Sequence, residues 1–429
     1  MREQFPKGHS ARSNSSPRRS TMSPMGRGPR PSREDRVDTI HRPTTTQLVE
    51  RAANLVPLLR EQATSAEQDR RLSDAVIDAL TDAGVYRMRV PARYGGWECD
   101  ARTMVDVATE LGRGDGSASW VTAVSWITTW MAGLFPDETQ DEVFADGDVR
   151  VCGTLSPTGT AVPVDGGLLL NGKWSFISGA LHARWQVAIA MSPTPDGAQQ
   201  PVMAMVPLSD LTIVDDWHTS GLGASGSVTT VAQDVHVPYT RVLPLAAALV
   251  EQYGSKLNAT SPIFRAPLLP TASVSSAGTV LGLAKSAMEH FLLRLPGRGI
   301  TYTNYSSQRE APLTHRQVAQ AALKIDAAEF HVHRLAAVVD HKSAADEPWS
   351  PDERVRARAD MGQACLLAKE AVDILDSASG GSSIYLSVPI QRMARDVHAI
   401  NQHALMHPDT NLELYGRVLC GLEPNTRYL

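Results

Sequence analysis

The chain has 429 residues, 42% hydrophobic and 20% charged, with a formal net charge of -5. That length gives room for a sizeable core and two to three domains, and the charge gives no overall basic field for nucleic acid or an anionic membrane. Its four cysteines, Cys99, Cys152, Cys365 and Cys420, are far apart with no C-x-x-C spacing. That pattern indicates neither a zinc site nor a disulfide framework and suits a reducing cytoplasm, and no apolar run reaches the roughly 20 residues that span a bilayer.

Residues 1–45 are rich in Arg, Ser, Pro and Gly with few aliphatic side chains. Such a segment cannot bury enough apolar surface to offset its ordering entropy, and it lacks the h-region of a secretory signal. It reads as a disordered tail, a mis-assigned start or vector sequence. From Thr46 to Met88 the pattern is helical: Leu48, Ala52, Leu55, Leu58 and Leu59, then Leu72, Val76, Ile77 and Leu80, recur at helical spacing. Ser73 is placed to cap the second helix and Gly84 to end it. Thr103–Leu111 and the strongly apolar Ser117–Phe135 follow, which makes 46–148 an N-terminal helical domain.

Near residue 149 the period shortens. Val149–Val151, Leu168–Leu170, Gln186–Ala190, Met203–Pro207, Thr229–Ala232 and Val235–Val237 are short branched runs punctuated by Gly, Pro, Asp and Asn. These predict a central β-barrel or sandwich over 149–245, with Asp165-Gly166-Gly167 and Asn171-Gly172 as hairpin turns bracketing one strand. From 246 to 429 the helical period returns. Residues 268–295, 314–342, 352–379 and 389–406 carry apolar stripes that predict a C-terminal four-helix bundle. The fold class is therefore α+β, mainly helical.

Common catalytic signatures are missing: no Walker loop, no H-E-x-x-H and no G-x-S-x-G. Gly221-Leu-Gly-Ala-Ser-Gly226 sits between β runs rather than opening a helix, so it is not a dinucleotide loop. Three weaker features remain. In Lys173-Trp-Ser-Phe-Ile-Ser-Gly179, strand alternation puts Trp174 on one face with Phe176 and Ser178, which suits a flat ring beside a hydroxyl and equally suits a hairpin strand with a core tryptophan. In Val151-Cys-Gly-Thr-Leu-Ser-Pro157, Thr154 and Ser156 can bond a ligand's polar edge, although turn chemistry alone accounts for them. Arg392 to His403 packs two histidines with Arg, Asp, Asn and Gln into twelve residues, a density of polar groups that needs partners or a ligand. No carboxylate cluster accompanies it, so no metal site is indicated. Four tryptophans, Trp120, Trp126, Trp130 and Trp174, are concentrated in one stretch and suit the wall of an aromatic site, although core packing is the commoner use of such residues.

Taken in order, these strings resemble the acyl-CoA dehydrogenase superfamily. Leu72 to Gly96 is similar to its first-domain signature, and Asn171 to Gly179 to its flavin-holding strand. Gly221 to Ser227 and Asp234 to Pro238 resemble the strands that close the β domain, and Gly380-Gly381 a bundle glycine pair that meets the flavin's adenosine end from a neighbouring subunit. One departure bears on function. Where most dehydrogenases carry a Tyr-Glu-Gly motif with the catalytic base, this chain reads His403-Ala404-Leu405. Arg395-Asp-x-His-x-x-x-x-His403 resembles instead the two-component flavin-dependent monooxygenases of the same fold.

That resemblance implies reduced FAD or FMN delivered by a separate NAD(P)H flavin reductase, molecular oxygen, a flavin C4a-hydroperoxide, and hydroxylation of a small phenolic, indolic or polycyclic aromatic substrate. It implies a cytoplasmic homotetramer. His403 and Ser178 are the implied catalytic pair, His403 acting on the oxidant or on the substrate's ionisable group and Ser178 near the reactive flavin nitrogen. Trp174 would pack on the ring. Thr154, Ser156, Gly179, His398, Gly380 and Gly381 would also hold the cofactor, with Arg298 or Arg309 at a phosphate. Trp120, Trp126 and Trp130 would wall the substrate pocket, while Asp396 would anchor the bundle through a salt bridge. The rival readings are an amino-sugar N-oxygenase, an ordinary acyl-CoA dehydrogenase or oxidase, and a degenerate scaffold subunit.

Overall fold

In a computed structural model, which describes residues 42–429 except Asp146 and Asp148, regular structure begins at α1 (Thr45–Asp69). The expected tail lies outside the described residues as far as His41. A capping box starts α1: the Thr44 hydroxyl accepts from Gln47 N, and the Gln47 side chain accepts from Thr44 N. Ser73 caps α2 (Asp74–Asp82) as the sequence predicts. Asp100 caps α3 (Ala101–Gly114) and Asp115 caps α4 (Gly116–Ala132), with α5 (Asp137–Val143) behind them. On α4 all side chains are buried except those of Val124 and Ile127, which are half-buried. A helix apolar on all sides belongs inside the molecule, and α4 accordingly packs on the bundle, on α3 and on the first strand.

Eight strands follow: β1 (Val151–Gly153), β2 (Gly159–Val164), β3 (Gly167–Ile177), β4 (Trp185–Pro193), β5 (Gln199–Pro207), β6 (Thr212–Val214), β7 (Val228–Pro238) and β8 (Val242–Pro244). They form one sheet in the order β6-β7-β3-β2-β4-β5-β8, with β1 added parallel to β4. Asp165-Gly166 is the two-residue turn of the β2–β3 hairpin. Asn171-Gly172, however, is not a turn. It lies within β3 at a bulge against β7, where Asn171 Nδ2 donates to Asp234 Oδ1 and Asp234 N donates to Asn171 Oδ1, both at 2.9 Å. Gly172 is there for close approach: a Cβ would lie 2.6 Å from Gly159 Cα and 2.8 Å from the Trp174 ring. The runs read as two strands at 229–232 and 235–237 are the single strand β7.

After the short α6 (Leu245–Leu249) come α7 (Leu268–Arg294), α8 (Pro312–Ala345), α9 (Pro351–Ala378) and α10 (Ile390–Asn401), close to the predicted spans. A further helix, α11 (Pro408–Leu419), follows directly on His407. Proline at the first helical position loses no intrahelical bond, so this Pro starts a helix rather than ending one. Among the described residues no helix is long and apolar enough to cross a membrane, and no group of three or more His, Cys, Asp or Glu is placed to hold a metal.

Candidate active site

Three elements deliver the three central side chains. Trp120 sits on the first turns of α4, Ser178 just after β3, and His403 in the turn after α10. Trp120 Nε1 donates to Ser178 Oγ at 3.1 Å, and its ring meets the His403 imidazole edge-on, centroids 5.2 Å apart. Residues nearly three hundred positions apart in sequence thus form one constellation. His403 keeps solvent-accessible surface although protein atoms crowd closely around its ring. That enclosure disfavours the imidazolium and pushes its pKa down to about 4. Leu405 N donates to His403 Nδ1 at 3.3 Å, which assigns the ring proton to Nε2. The histidine therefore presents to a ligand a neutral ring with an N–H donor.

Helical geometry decides which tryptophans share the side of α4 that meets Ser178 and His403. At roughly 100° per residue, Val124 and Ile127 lie within about 40° of Trp120 on the α4 circumference, while Trp126 and Trp130 turn well away. Trp126 instead donates to Val85 O (2.8 Å) in the N-terminal core. Trp130 donates to Ile263 O (2.7 Å) and stacks on Phe264. Both are corrections to the expected pocket wall; the site-facing stripe is Trp120, Val124 and Ile127. Ile127, Leu155 and Leu405, all half-buried, pack against one and the same buried apolar cluster.

The second correction concerns Trp174. It is fully buried in the β domain, its Nε1 donating to Ile189 O at 2.8 Å, and it cannot face a ligand. A register shift between Trp174 and Ile177 breaks the alternation, and Phe176 adopts a φ of 64°. Simple alternation puts Trp174 and Phe176 on one face; the bulge puts Trp174 and Ile177 inside and leaves Phe176 70% exposed. Phe176, two residues from Ser178, is the aromatic the strand offers to a ring. Trp217 meets it edge-on at 5.9 Å. No sequence signal marks the positive φ of Phe176, so pattern reading selects the larger indole.

The loop behind Phe176 is fixed from α10. Trp217 Nε1 donates to Leu222 O at 3.1 Å, and Leu222 N donates to Asp396 Oδ1 at 2.6 Å. Gly221 is required because a Cβ there would lie 2.3 Å from Arg395 O. Asp396 thus anchors the loop by a backbone hydrogen bond rather than through the expected salt bridge. The ion pair belongs to Arg395, which bonds Glu67 and Ser220 O, both at 2.5 Å. Burial, then the neighbouring Asp115 charge, pushes the Asp396 carboxyl up to about 7, against the smaller opposing pulls of Leu222 N–H, Arg392 and Arg395. The folded state holds this proton more tightly than an unfolded chain titrating near 3.8. Its stabilising contribution is fully present below about pH 4 and is lost as pH rises to about 7, a change on the order of 4 kcal/mol. Asp396→Asn keeps the acceptor for Leu222 and removes the charge. Its melting temperature is expected to exceed that of the native protein at pH 8 and to converge with it near pH 4; a lower value at pH 8 would contradict this.

The remaining expected residues divide. Thr154 and Ser156 follow β1, which α4 holds through Thr128 Oγ1 on Val151 O at 2.5 Å, and both retain accessible surface beside Leu155. Gly179 lies against α4 at Val121 and donates its N–H to Ser225 O at 3.1 Å. Arg298 reaches Ser379 O and lies beside Gly380, with Gly381 and Ser382 adjoining. They form a second cluster, and no contact among the described residues joins it to His403. Arg309 is exposed in the turn before α8, and His398 is exposed on α10. The turn that carries Arg309 packs on the second cluster, Gln308 N donating to Arg298 O at 2.5 Å and Gln308 Nε2 to Ala378 O at 2.7 Å; no side-chain contact among the described residues brings His398 to either cluster.

The side chains of the first cluster fit a flat, polar-edged ring such as a flavin: an exposed aromatic, a buried hydroxyl and a neutral imidazole N–H. Comparison with known proteins agrees. Residues 45–146 match the acyl-CoA dehydrogenase N-terminal domain and residues 274–408 the acyl-CoA dehydrogenase C-terminal domain. The FADH(2)-dependent resorcinol hydroxylase oxygenase component of Rhizobium sp. is 31% identical over 407 residues, covering 91% of this chain and 100% of that one. The flavin-dependent monooxygenase oxygenase subunit HsaA of Mycobacterium tuberculosis is 30% identical, covering 86% and 94%. XiaF from Streptomyces sp., solved in complex with FADH2 and glycerol, superposes with a TM-score of 0.84 at 34% identity, covering 89% and 97%. The chain belongs to the family of flavin-dependent monooxygenase oxygenase components built on the acyl-CoA dehydrogenase fold.

Proposed function

We propose that this chain is the oxygenase component of a two-component system that hydroxylates a small phenolic, indolic or polycyclic aromatic compound with molecular oxygen. Reduced FAD or FMN, supplied by a separate NAD(P)H flavin reductase, provides the electrons and the atom at which oxygen is activated. The observation that carries the reading is the Trp120–Ser178–His403 constellation, with Ala404 rather than a carboxylate beside the histidine. A neutral imidazole can donate Nε2–H to the oxidant or accept a phenolic proton after tautomeric exchange, and it does not compete as a cation. Ser178 donates to the ring edge, Phe176 packs on the ring face, and Thr154 and Ser156 meet its polar rim. The apolar stripe Trp120, Val124, Ile127 excludes water and suits an aromatic substrate better than an amino sugar.

Exposed Ile384, Tyr385 and Leu386 adjoin the Arg298–Gly380 cluster, and Leu313, Leu323 and Phe330 line α8. Such apolar surface supports assembly into a homotetramer in which Arg298, Gly380 and Gly381 reach a neighbour's cofactor. Three buried thiols without disulfides support work in the cytoplasm.

Two measurements test this. With a flavin reductase, NADH and a panel of phenols and indoles under labelled oxygen, a monohydroxylated product carrying one labelled atom is expected. Reduction of the bound oxidised flavin by acyl-CoA thioesters would favour a dehydrogenase instead. Because His403 is held neutral, product formed per NADH should show no inflection near pH 6.5 and should fall only as pH approaches 4. An inflection at the ordinary histidine value would contradict the enclosed ring.

A further inference from the structure

Ser178 does not stand alone. Its Oγ lies 2.7 Å from Ser227 Oγ, which lies 2.7 Å from Ser225 Oγ. Accessible surface falls along the row from 6% through 3% to 1%. Each hydroxyl has one hydrogen to give and two lone pairs to fill. Trp120 Nε1 fills one lone pair of Ser178 and can do nothing else, because an indole N–H only donates.

Three hydrogen arrangements satisfy the two short contacts. If both outer hydroxyls donate to Ser227, its own hydrogen has no acceptor. If the row runs from Ser178 through Ser227 to Ser225, the hydrogen of Ser225 is stranded at the most buried end, where the described residues offer it no acceptor. If the row runs from Ser225 through Ser227 to Ser178, the single unspent hydrogen is that of Ser178, at the least buried end and beside Trp120 and His403. An unpaired buried donor is costly and an unfilled lone pair is cheap, so the third arrangement is favoured. Both acceptor sites of Ser178 are then filled from within the protein, by Trp120 and by Ser227, and its hydroxyl can only donate outward.

We propose that Ser227 and Ser225 are positioning residues that fix the Ser178 hydroxyl as a hydrogen-bond donor to an acceptor atom on the edge of the bound flavin ring. This rests on the flavin reading of the site. Neither serine touches the ring; they act by setting the direction of the Ser178 hydrogen before the cofactor arrives, so no reorientation is needed on binding.

Anaerobic titration of the apoprotein with reduced FAD and reduced FMN tests the proposal without requiring turnover. Ser178→Ala should weaken binding of the preferred flavin about 2- to 10-fold, the range a single net hydrogen bond spans. Ser227→Ala should weaken it in the same direction, and Ser225→Ala by less. In a Ser178→Ala background neither should have any further effect, because their action passes through Ser178. Ser227→Ala should also speed solvent exchange of the Trp120 indole N–H, whose acceptor is no longer held. If Ser227→Ala weakens binding equally with and without Ser178, the serine is merely structural and the proposal is overturned. If Ser178→Ala matters and both Ser227→Ala and Ser225→Ala bind flavin normally, the relay is overturned while the flavin site stands. If Ser178→Ala itself has no effect on binding, the ring does not lie beside Ser178, and both the placement and the relay fail together.

Discussion

His403→Ala should fold, bind reduced flavin with near-native affinity, and lose product formation by about 10²- to 10⁴-fold, the span attributed to one positioned acid or base. The reducing equivalents should reappear as hydrogen peroxide. The structure explains why the loss is chemical and not structural. His403 sits in a turn and keeps solvent-accessible surface, and among the described residues its imidazole is hydrogen-bonded only by a long contact from Leu405 N. Trp120 meets its ring edge-on but spends its own N–H on Ser178. Truncation at Cβ therefore removes the imidazole without stranding a fully buried group. His403→Asn, which keeps an N–H donor but cannot exchange a proton, should recover part of the coupling if donation to the oxidant matters and none if proton removal from the substrate is the task. Product yield per NADH and peroxide release, measured together, check this. Native coupling in His403→Ala would remove the histidine from the mechanism.

The second large effect separates two aromatic neighbours. Trp174→Ala should cost about 3–5 kcal/mol of stability, since it empties a core site and leaves Ile189 O without its donor. Phe176→Ala should change stability by no more than about 0.5 kcal/mol, because the side chain is largely exposed. Its effect should appear in flavin binding, about 2- to 10-fold weaker, which matches the worth of one aromatic contact. Denaturant unfolding and anaerobic flavin titration on both variants decide the matter. The reverse pattern, with Trp174→Ala stable but binding poorly, would mean that the bulge after Trp174 is misplaced.

That pair also shows where the sequence stops being informative. Helix starts at Ser73 and the long bundle helices follow from caps and period, which are local. Ser178 and His403 stand in contiguous strings and Trp120 in a tryptophan-rich stretch, but that the three meet is visible only in the fold. The bulge in β3 could not, because it depends on pairing with β7 and on a positive φ at a phenylalanine, for which no residue type gives warning. Asn171-Gly172 misled for a related reason. A turn dipeptide inside a strand is stabilised by Asp234 from across the sheet, sixty-three positions away. Trp126 and Trp130 suit an aromatic wall by their large flat rings, whereas the angle around α4 puts the smaller Val124 and Ile127 on the Trp120 side. Ser225 and Ser227 lie in a glycine-rich string whose side-chain contacts exist only once β3 is laid against it.

The most direct test of the central claim is rapid mixing of the protein and anaerobically reduced flavin with oxygenated buffer, with and without an aromatic substrate, following the flavin spectrum. A protein that activates oxygen on a sheltered ring should show a transient that is neither reduced nor oxidised flavin. That transient should be long-lived in native protein, shortened in Ser178→Ala, and discharged into hydroxylated product when substrate is present. Direct conversion to oxidised flavin at the rate of free flavin in both conditions, with no intervening species, would contradict the monooxygenase account.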